Sequence, residues 1–386
     1  MDDVRIGVIG VGGMGGNHVR WTRDDVDGAV VSAICDIDPA RLETVGGWLD
    51  ESVRRFQDAD ELFDADICDA VMIATPHYDH PPLAVKAFEN DLHVLIEKPA
   101  GVYTKQVKEM NEAARQSGKV FAIMFNQRTS PVYRKLKDVI DSGELGQLGR
   151  IDWVITSWFR TQAYYASGGW RATWDGEGGG VLMNQCPHNL DLWQWLFGVP
   201  SRVRATCFYG KYHDIEVEDE VFATMEYDNG CVGTFKTSTG ESPGTNRLEV
   251  WGDQGKIILE GGNLRFLRTR VSVKEFRATN PGRFATPEAW NCEIPVRGSG
   301  GAHREVMQKF VNKIKGEGEL VVSGDEGIKS LQMANAMLLS SWTGDRWVDV
   351  PIDDELYCEE LEKKRVISKP KEVAEGGQVD DLDTSW

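Results

Sequence analysis

The chain of 386 residues carries 43 lysines and arginines against 61 aspartates and glutamates, a formal net charge of −18. With 41% hydrophobic and 27% charged residues it has a globular composition, which excludes a disordered or fibrous chain. The acidic balance argues against a nucleic-acid partner, which needs clustered Lys and Arg, yet leaves phosphorylated ligands open, because backbone amides can hold a phosphate on an acidic protein.

The first 125 residues alternate short apolar runs with helical stretches. Runs at 4–10, 29–36, 70–76, 93–99 and 119–125 are almost continuously apolar, as strands buried on both faces of a parallel sheet are. Helical patterns lie between them at 15–23, 39–50, 81–90 and 103–117. Repeated strand–helix–strand predicts a doubly wound α/β domain over 1–125. After Asn126 the texture changes. A helix over 131–142 leads into strands with looser alternation at 150–159, 202–209, 220–227, 231–237, 246–251, 256–260 and 264–268. Asp228-Asn229-Gly230 and Gly261-Gly262 are hairpin turns, so residues 126–366 read as an α+β domain with a large, mostly antiparallel open sheet. Helices over 302–315 and 325–341 are expected to cover one face of that sheet, and 367–386 reads as an acidic polar tail.

Strand one ends in Gly10-Val11-Gly12-Gly13-Met14-Gly15, a G-x-G-x-x-G. The first glycine permits the tight turn, the second lets backbone approach a pyrophosphate, and the third packs helix on strand. Asp36 ends the second strand, twenty-one residues past Gly15. It stands where ribose hydroxyls are held, and its charge repels a 2′-phosphate, so NAD is expected over NADP; nearby Arg41 tempers that preference.

Ligands of an open parallel sheet bind beyond the carboxyl ends of its strands. Ala74-Thr75-Pro76-His77-Tyr78-Asp79-His80 and Glu97-Lys98-Pro99 both end there. A lysine at the end of a buried strand is costly without a purpose. It either pairs with Glu97 alone or bonds a substrate oxygen and stabilises charge on it. His77 and His80 could touch the nicotinamide end, and His80 could equally cap a helix. Farther on, Gly178-Gly179-Gly180 leads to Asn184, Cys186, Pro187, His188 and Asp191. If one helix runs through, Asn184, His188 and Asp191 share a face; if Pro187 sits in the first turn, Asn184 lies just ahead of it. A neutral His188 beside Lys98 can take a proton from an alcohol, and the bland alternative is a core histidine satisfied by Asp191. Cys186 and His188 diverge at i, i+2, so neither thiol chemistry nor a metal is expected.

The ordered set of G-x-G-x-x-G, ATPxxxH, Glu97-Lys98-Pro99, Asn126-x-Arg128 and GGG-x-L-x-N-x-x-x-H resembles the Gfo/Idh/MocA family, from about residue 4 to 352. The resemblance implies a Rossmann domain, a second domain whose sheet packs in homo-oligomers (a dimer or tetramer), and NAD(P)-dependent oxidation or reduction of sugars or polyols. It carries the catalytic roles onto Lys98 and His188. Cofactor contacts are expected at Gly10, Gly12, Gly13, Met14, Gly15, Asp36, Ile37, Thr75, Pro76, His80, Glu97, Lys98 and Asn126. Substrate-binding or orienting roles fall to Asn184, Asp191, Arg128 and Trp170. The family usually has Asp where this chain has Asn184, so Asn184 is expected to orient His188 without supplying a charge. The run 184–195 with 211–220 resembles a branch that oxidises a ring hydroxyl of glycosides. Alternatives of the same fold are a glycosidase or lyase using tightly bound NAD transiently, a reductase of non-sugars such as a tetrapyrrole, or a non-catalytic dinucleotide-binding regulator; the presence of both Lys98 and His188 counts against the last.

Seven cysteines, at 35, 68, 186, 207, 231, 292 and 358, are widely spaced with no Cys-x-x-Cys, which suits a reducing cytosol. With neither a basic–apolar leader nor a long apolar run, the chain is expected in the cytoplasm and off the membrane. Thirteen Trp are read mainly as core, some as flat faces for a carbohydrate.

Overall fold

The computed structural model describes residues 2–369 and 371. Strands β1 (Val4–Ile9), β2 (Ala29–Cys35), β3 (Arg54–Phe56), β4 (Ala70–Ile73), β5 (His93–Ile96) and β6 (Phe121–Ile123) form one sheet in the order β3-β2-β1-β4-β5-β6. All its neighbours pair in parallel. The crossovers carry α1 (Gly13–Asp24), α2 (Pro39–Gly46), α3 (Ala59–Asp64), α4 (His80–Glu89) and α5 (Thr104–Ser117). This is the Rossmann arrangement, and the carboxyl ends of β1, β2, β4 and β5 open on one edge. β3 and α3 escape the sequence pattern because a three-residue strand and a six-residue helix show no periodicity. The helix expected over 39–50 stops at Gly46, whose hydrogen-bonded C-cap is Gly47.

The remainder is α6 (Pro131–Asp141), β7 (Leu148–Ile155), α7 (Gln162–Ala166), α8 (Pro187–Phe197), β8 (Arg202–Tyr209), β9 (Glu218–Glu226), β10 (Val232–Ser238), β11 (Asn246–Gly252), β12 (Gly255–Glu260), β13 (Asn263–Thr269), α9 (Val273–Thr279), β14 (Ala289–Ile294), α10 (Ala302–Ile314), α11 (Gly327–Trp342), β15 (Val348–Asp349) and α12 (Asp354–Val366). Nine strands join in the order β14-β13-β12-β11-β7-β10-β9-β8-β15, antiparallel except for the parallel β7–β10 pair. β14 was missed because its side chains are mostly exposed and lack an apolar alternation. α12 was missed although Asp353 caps it by accepting the N–H groups of Glu355 and Leu356.

One expectation about the second half is overturned. α11 packs on α8 and β8 of the large sheet, but α10 returns to the Rossmann sheet. Its Val306, Met307, Phe310 and Val311 share a core with Ile6, Val8, Ile34, Met72 and Leu95. Its amphipathic stripe announces burial but not the partner. The residues read as an acidic tail lie, beyond Lys371, outside the described residues. No helix among the described residues is long and apolar enough to cross a membrane.

Candidate functional site

The glycine-rich turn is built as its spacing demands. Gly10 has φ +82°, which favours glycine, and a Cβ on Gly15 would stand 1.7 Å from the Gly10 carbonyl oxygen. Met14 follows in the first turn of α1, whose free amides form a phosphate cradle. Asp36 is buried at the end of β2. Its carboxylate accepts the N–H groups of Val11 at 2.8 Å and Asp38 at 2.9 Å, so the acid is locked beside the turn. Arg41 stands 3.7 Å from Asp36, and Ile37 is 88% exposed at the lip. These residues fit a dinucleotide: Gly10 to Gly15 would hold the pyrophosphate and Asp36 the ribose.

The next two strand ends are tied together by His80. Its Nδ1 lies 2.8 Å from the Pro99 carbonyl and its Nε2 2.9 Å from the Thr75 carbonyl. Both ring nitrogens face main-chain carbonyls and the neutral ring donates to one of them, so His80 braces the Thr75-Pro76 and Lys98-Pro99 ends. Glu97 turns behind the sheet. It accepts from His18 of α1 at 2.7 Å and from the Lys98 N–H at 3.1 Å. Burial opposes its ionisation, but the hydrogen bond and charge of His18 outweigh that and hold the carboxyl down at about 2. Asn126 turns the same way, its Nδ2 3.4 Å from His303 Nδ1, on a helix that sequence reasoning assigned elsewhere.

Lys98 points toward the second half, where its Nζ donates to the Asn184 carbonyl at 3.0 Å. α8 begins at Pro187, so Asn184 lies in the turn ahead of it. His188 is buried in the first turn of α8, edge-on to Phe125 at 6.1 Å. Burial and then the Lys98 charge push its pKa well down, so the imidazole is neutral. Lys98 is itself lowered by burial, against the opposing pull of Glu97.

Two sequence expectations change here. The Asn184 amide, expected to orient His188, is gripped by other groups. Its Nδ2 donates to Glu177, and its Oδ1 accepts from Tyr164 at 3.2 Å and Gln185 at 3.0 Å. Asp191, the other candidate to satisfy His188, receives Arg128 bidentately at 2.8 and 2.6 Å. Arg128 also reaches Glu326 at 3.0 Å. A buried guanidinium needs such partners, and Arg128 and Asp191 thereby tie the 126–129 turn to α8 and α11. Trp170 does face the site, its ring 5.4 Å from His77 and 4.9 Å from the Arg171 guanidinium.

Glu177 is the residue sequence reasoning missed. It is buried, accepts the Ala172 N–H at 2.6 Å, and meets Asn184 from the other side. Its carbonyl lies 3.1 Å from His77 Nδ1. An acid directly before three glycines was the available signal. Those glycines let the loop press on β9, since a Cβ on Gly180 would stand 2.0 Å from the Glu218 carbonyl. Two surface hollows, of about 310 Å³ beside Leu62 and about 530 Å³ beside Tyr227, are lined by none of these residues. Among the described residues no group of His, Cys, Asp or Glu is arranged to hold a metal.

Two family models match the chain: an oxidoreductase family with an NAD-binding Rossmann fold over residues 4–125, and the GFO/IDH/MocA C-terminal domain over 133–258. The scyllo-inositol 2-dehydrogenase (NAD(+)) of Bacillus subtilis is 27% identical over 68% of this chain and 75% of its own length. The D-glucoside 3-dehydrogenase of Escherichia coli is 26% identical over 89% of this chain and 97% of its own. The WlbA dehydrogenase of Chromobacterium violaceum, solved with NADH and UDP-GlcNAcA, superposes with a TM-score of 0.78 at 25% identity, covering 92% of this chain and 97% of that one. The glycine-rich cradle, the locked Asp36 and both matched domains agree: this chain belongs to the Gfo/Idh/MocA family of oxidoreductases and uses NAD.

Proposed function

We propose that the protein oxidises a secondary hydroxyl of a sugar, polyol or glycoside, with Lys98 and His188 as the groups that handle the proton and the charge. The observation that carries this reading is the Lys98 Nζ bond to the Asn184 carbonyl. It brings a Rossmann strand end within four residues of His188, so the two groups converge from separate domains. NAD, when bound, supplies the acceptor for the hydride leaving the carbinol carbon. Neutral His188 takes the hydroxyl proton, while the Lys98 ammonium donates to the same oxygen and stabilises the negative charge that grows on it. The low pKa of His188 keeps it a free base before the reaction. The likeness to the D-glucoside 3-dehydrogenase over most of both chains supports a glycoside, oxidised at the ring 3-hydroxyl.

A panel of monosaccharides, inositols and alkyl glucosides, scored for NADH and with products mapped by NMR, tests this. A 3-keto glycoside formed with stoichiometric NADH is the expected product. Glycoside cleavage without net NADH would replace dehydrogenation by transient oxidation.

A further inference from the structure

The wall facing Lys98 is cationic. Two guanidiniums approach the Tyr164 ring, with Arg171 Cζ 4.6 Å and Arg160 Cζ 5.1 Å from its centroid. Arg171 donates to the Tyr164 hydroxyl at 2.8 Å, and that hydroxyl donates to Asn184, whose carbonyl holds Lys98. Both arginines stand close enough to Lys98 for their charges to act on it. Lys371 adds another positive charge, its Nζ donating to the Tyr165 carbonyl at 2.8 Å and the Arg171 carbonyl at 3.2 Å.

Among the described residues neither Arg160 nor Arg171 has a carboxylate at ion-pair distance; the Arg160 guanidinium donates to the Phe159 carbonyl, at 3.0 Å. The nearby acids are committed elsewhere. Glu177 holds Ala172 and Asn184, Glu216 holds the Trp174 N–H and Ser368, and Asp175 holds Arg365. In a chain with 61 acidic residues, two half-buried arginines beside the reacting lysine make no ion-pair contact among the described residues, and Arg171 feels the Glu177 charge only from beyond that distance. Like charges gathered together repel, and a guanidinium pair is well shaped to grip an oxyanion.

We propose that Arg160 and Arg171 form a subsite for an oxyanion of the substrate, so that the sugar oxidised at Lys98 carries a carboxylate or a phosphate. The inference rests on the dehydrogenase reading above and adds the substrate class. The sugar ring then lies against Trp170, with its charged end on the arginine side and the reacting hydroxyl on the lysine side.

The test uses the full chain loaded with NAD and matched pairs of compounds: methyl β-D-glucuronide with its neutral methyl ester, and glucose 6-phosphate with glucose. Turnover is followed as NADH and binding by calorimetry. At least one charged member is expected to exceed its neutral partner tenfold or more in kcat/KM, by an amount that falls as salt rises. Which pair shows it separates carboxylate from phosphate. Arg160→Gln and Arg171→Gln should each cut that preference at least tenfold, and the two variants guard against one failing to fold. Turnover of the neutral members with no advantage for the charged ones overturns the subsite and leaves the dehydrogenase reading intact. Selective calorimetric binding of a charged member without any NADH supports the subsite and removes the dehydrogenase reading. A preference that survives both substitutions overturns the arginine assignment.

Discussion

The two walls of the site are made differently. The cofactor wall is backbone: a turn whose glycines are forced by a 1.7 Å approach, and an aspartate locked by main-chain N–H groups two and twenty-five residues away. The facing wall, where substrate lies on the reading proposed above, is side chains from α7 and the segment ahead of α8, Tyr164, Arg171, Glu177 and Asn184, meeting around one lysine from the other domain. A backbone-built wall is specified by local turn chemistry and tolerates few residue types. A side-chain wall is specified by tertiary packing and can be retuned one residue at a time. The difference predicts that substitutions on the first wall change which cofactor is used, and those on the second change rate, pH response and substrate.

The largest effect should come at the junction of the walls. Lys98→Met keeps the length and apolar stem but removes the charge. A fall in kcat of ~10²-fold or more is expected, typical for loss of a charge-stabilising or proton-transferring group. NAD affinity, measured by fluorescence titration, should change little. Turnover within a few-fold of wild type would separate Lys98 from the chemistry.

On the cofactor wall, Asp36→Ser removes the charge that repels a 2′-phosphate and one of two partners of Arg41, which stands 3.7 Å from that carboxylate and 3.5 Å from Asp38. The NADP to NAD ratio of kcat/KM should rise at least about tenfold, ~1.4 kcal/mol. Adding Arg41→Ala should reverse most of the gain. An unchanged ratio in Asp36→Ser would place the ribose elsewhere.

These contrasts explain what could be read from sequence. The doubly wound order, the glycine turn and Asp36 were legible because each depends on residues a few positions apart or on strand-end periodicity. The antiparallel character of the second sheet was legible from its turns. The bidentate Arg128–Asp191 pair was not, because it joins residues 63 positions apart. Helix α10 showed its apolar stripe but not its partner sheet. Glu97 follows β5 as its position suggests and His80 opens α4, and what their side chains meet was not legible: the His80 ring faces two carbonyls, and Glu97 accepts from a histidine on α1. The contact of Glu177 with Asn184 was not legible either, since Glu177 comes to it across a glycine run that has no periodic signature.

The substrate wall can be probed through that contact. Glu177 helps hold Lys98 in its charged form, against burial and against Arg171 and Arg160. Glu177→Gln keeps an acceptor for Asn184 and removes the charge. The basic limb of kcat/KM, where Lys98 loses its proton, should move to lower pH by up to about one unit. Asn184→Asp in the same variant returns a carboxylate to the spot and should move the limb back. In the wild-type background, Asn184→Asp sets two carboxyls in contact, and they should share a proton, so the limb moves little while rate falls. A limb that ignores Glu177→Gln would limit Glu177 to shaping the loop.

The smallest effect concerns stability behind that wall. Glu218 of β9 is fully buried and accepts the N–H groups of Gly180 at 2.8 Å and Leu182 at 3.0 Å, which fixes the glycine run beneath Glu177. Burial pushes its carboxyl up to about 7, far above the roughly 4.3 of an exposed glutamate. A carboxyl raised in the folded state binds its proton more tightly there than in the unfolded chain. Its contribution to stability is complete below about pH 4.3 and is lost as pH climbs through about 7, at most ~4 kcal/mol in all. Glu218→Gln is neutral at every pH and keeps a carbonyl acceptor for both N–H groups. Other buried groups titrate in both proteins, so the quantity to follow is the difference in Tm between variant and wild type. That difference should drift by several degrees in favour of the variant from pH 5 to pH 8, and level off above pH 8. A difference that stays constant across this range would mean that Glu218 is ionised in the folded protein throughout, and that the glycine run is anchored by a charged group.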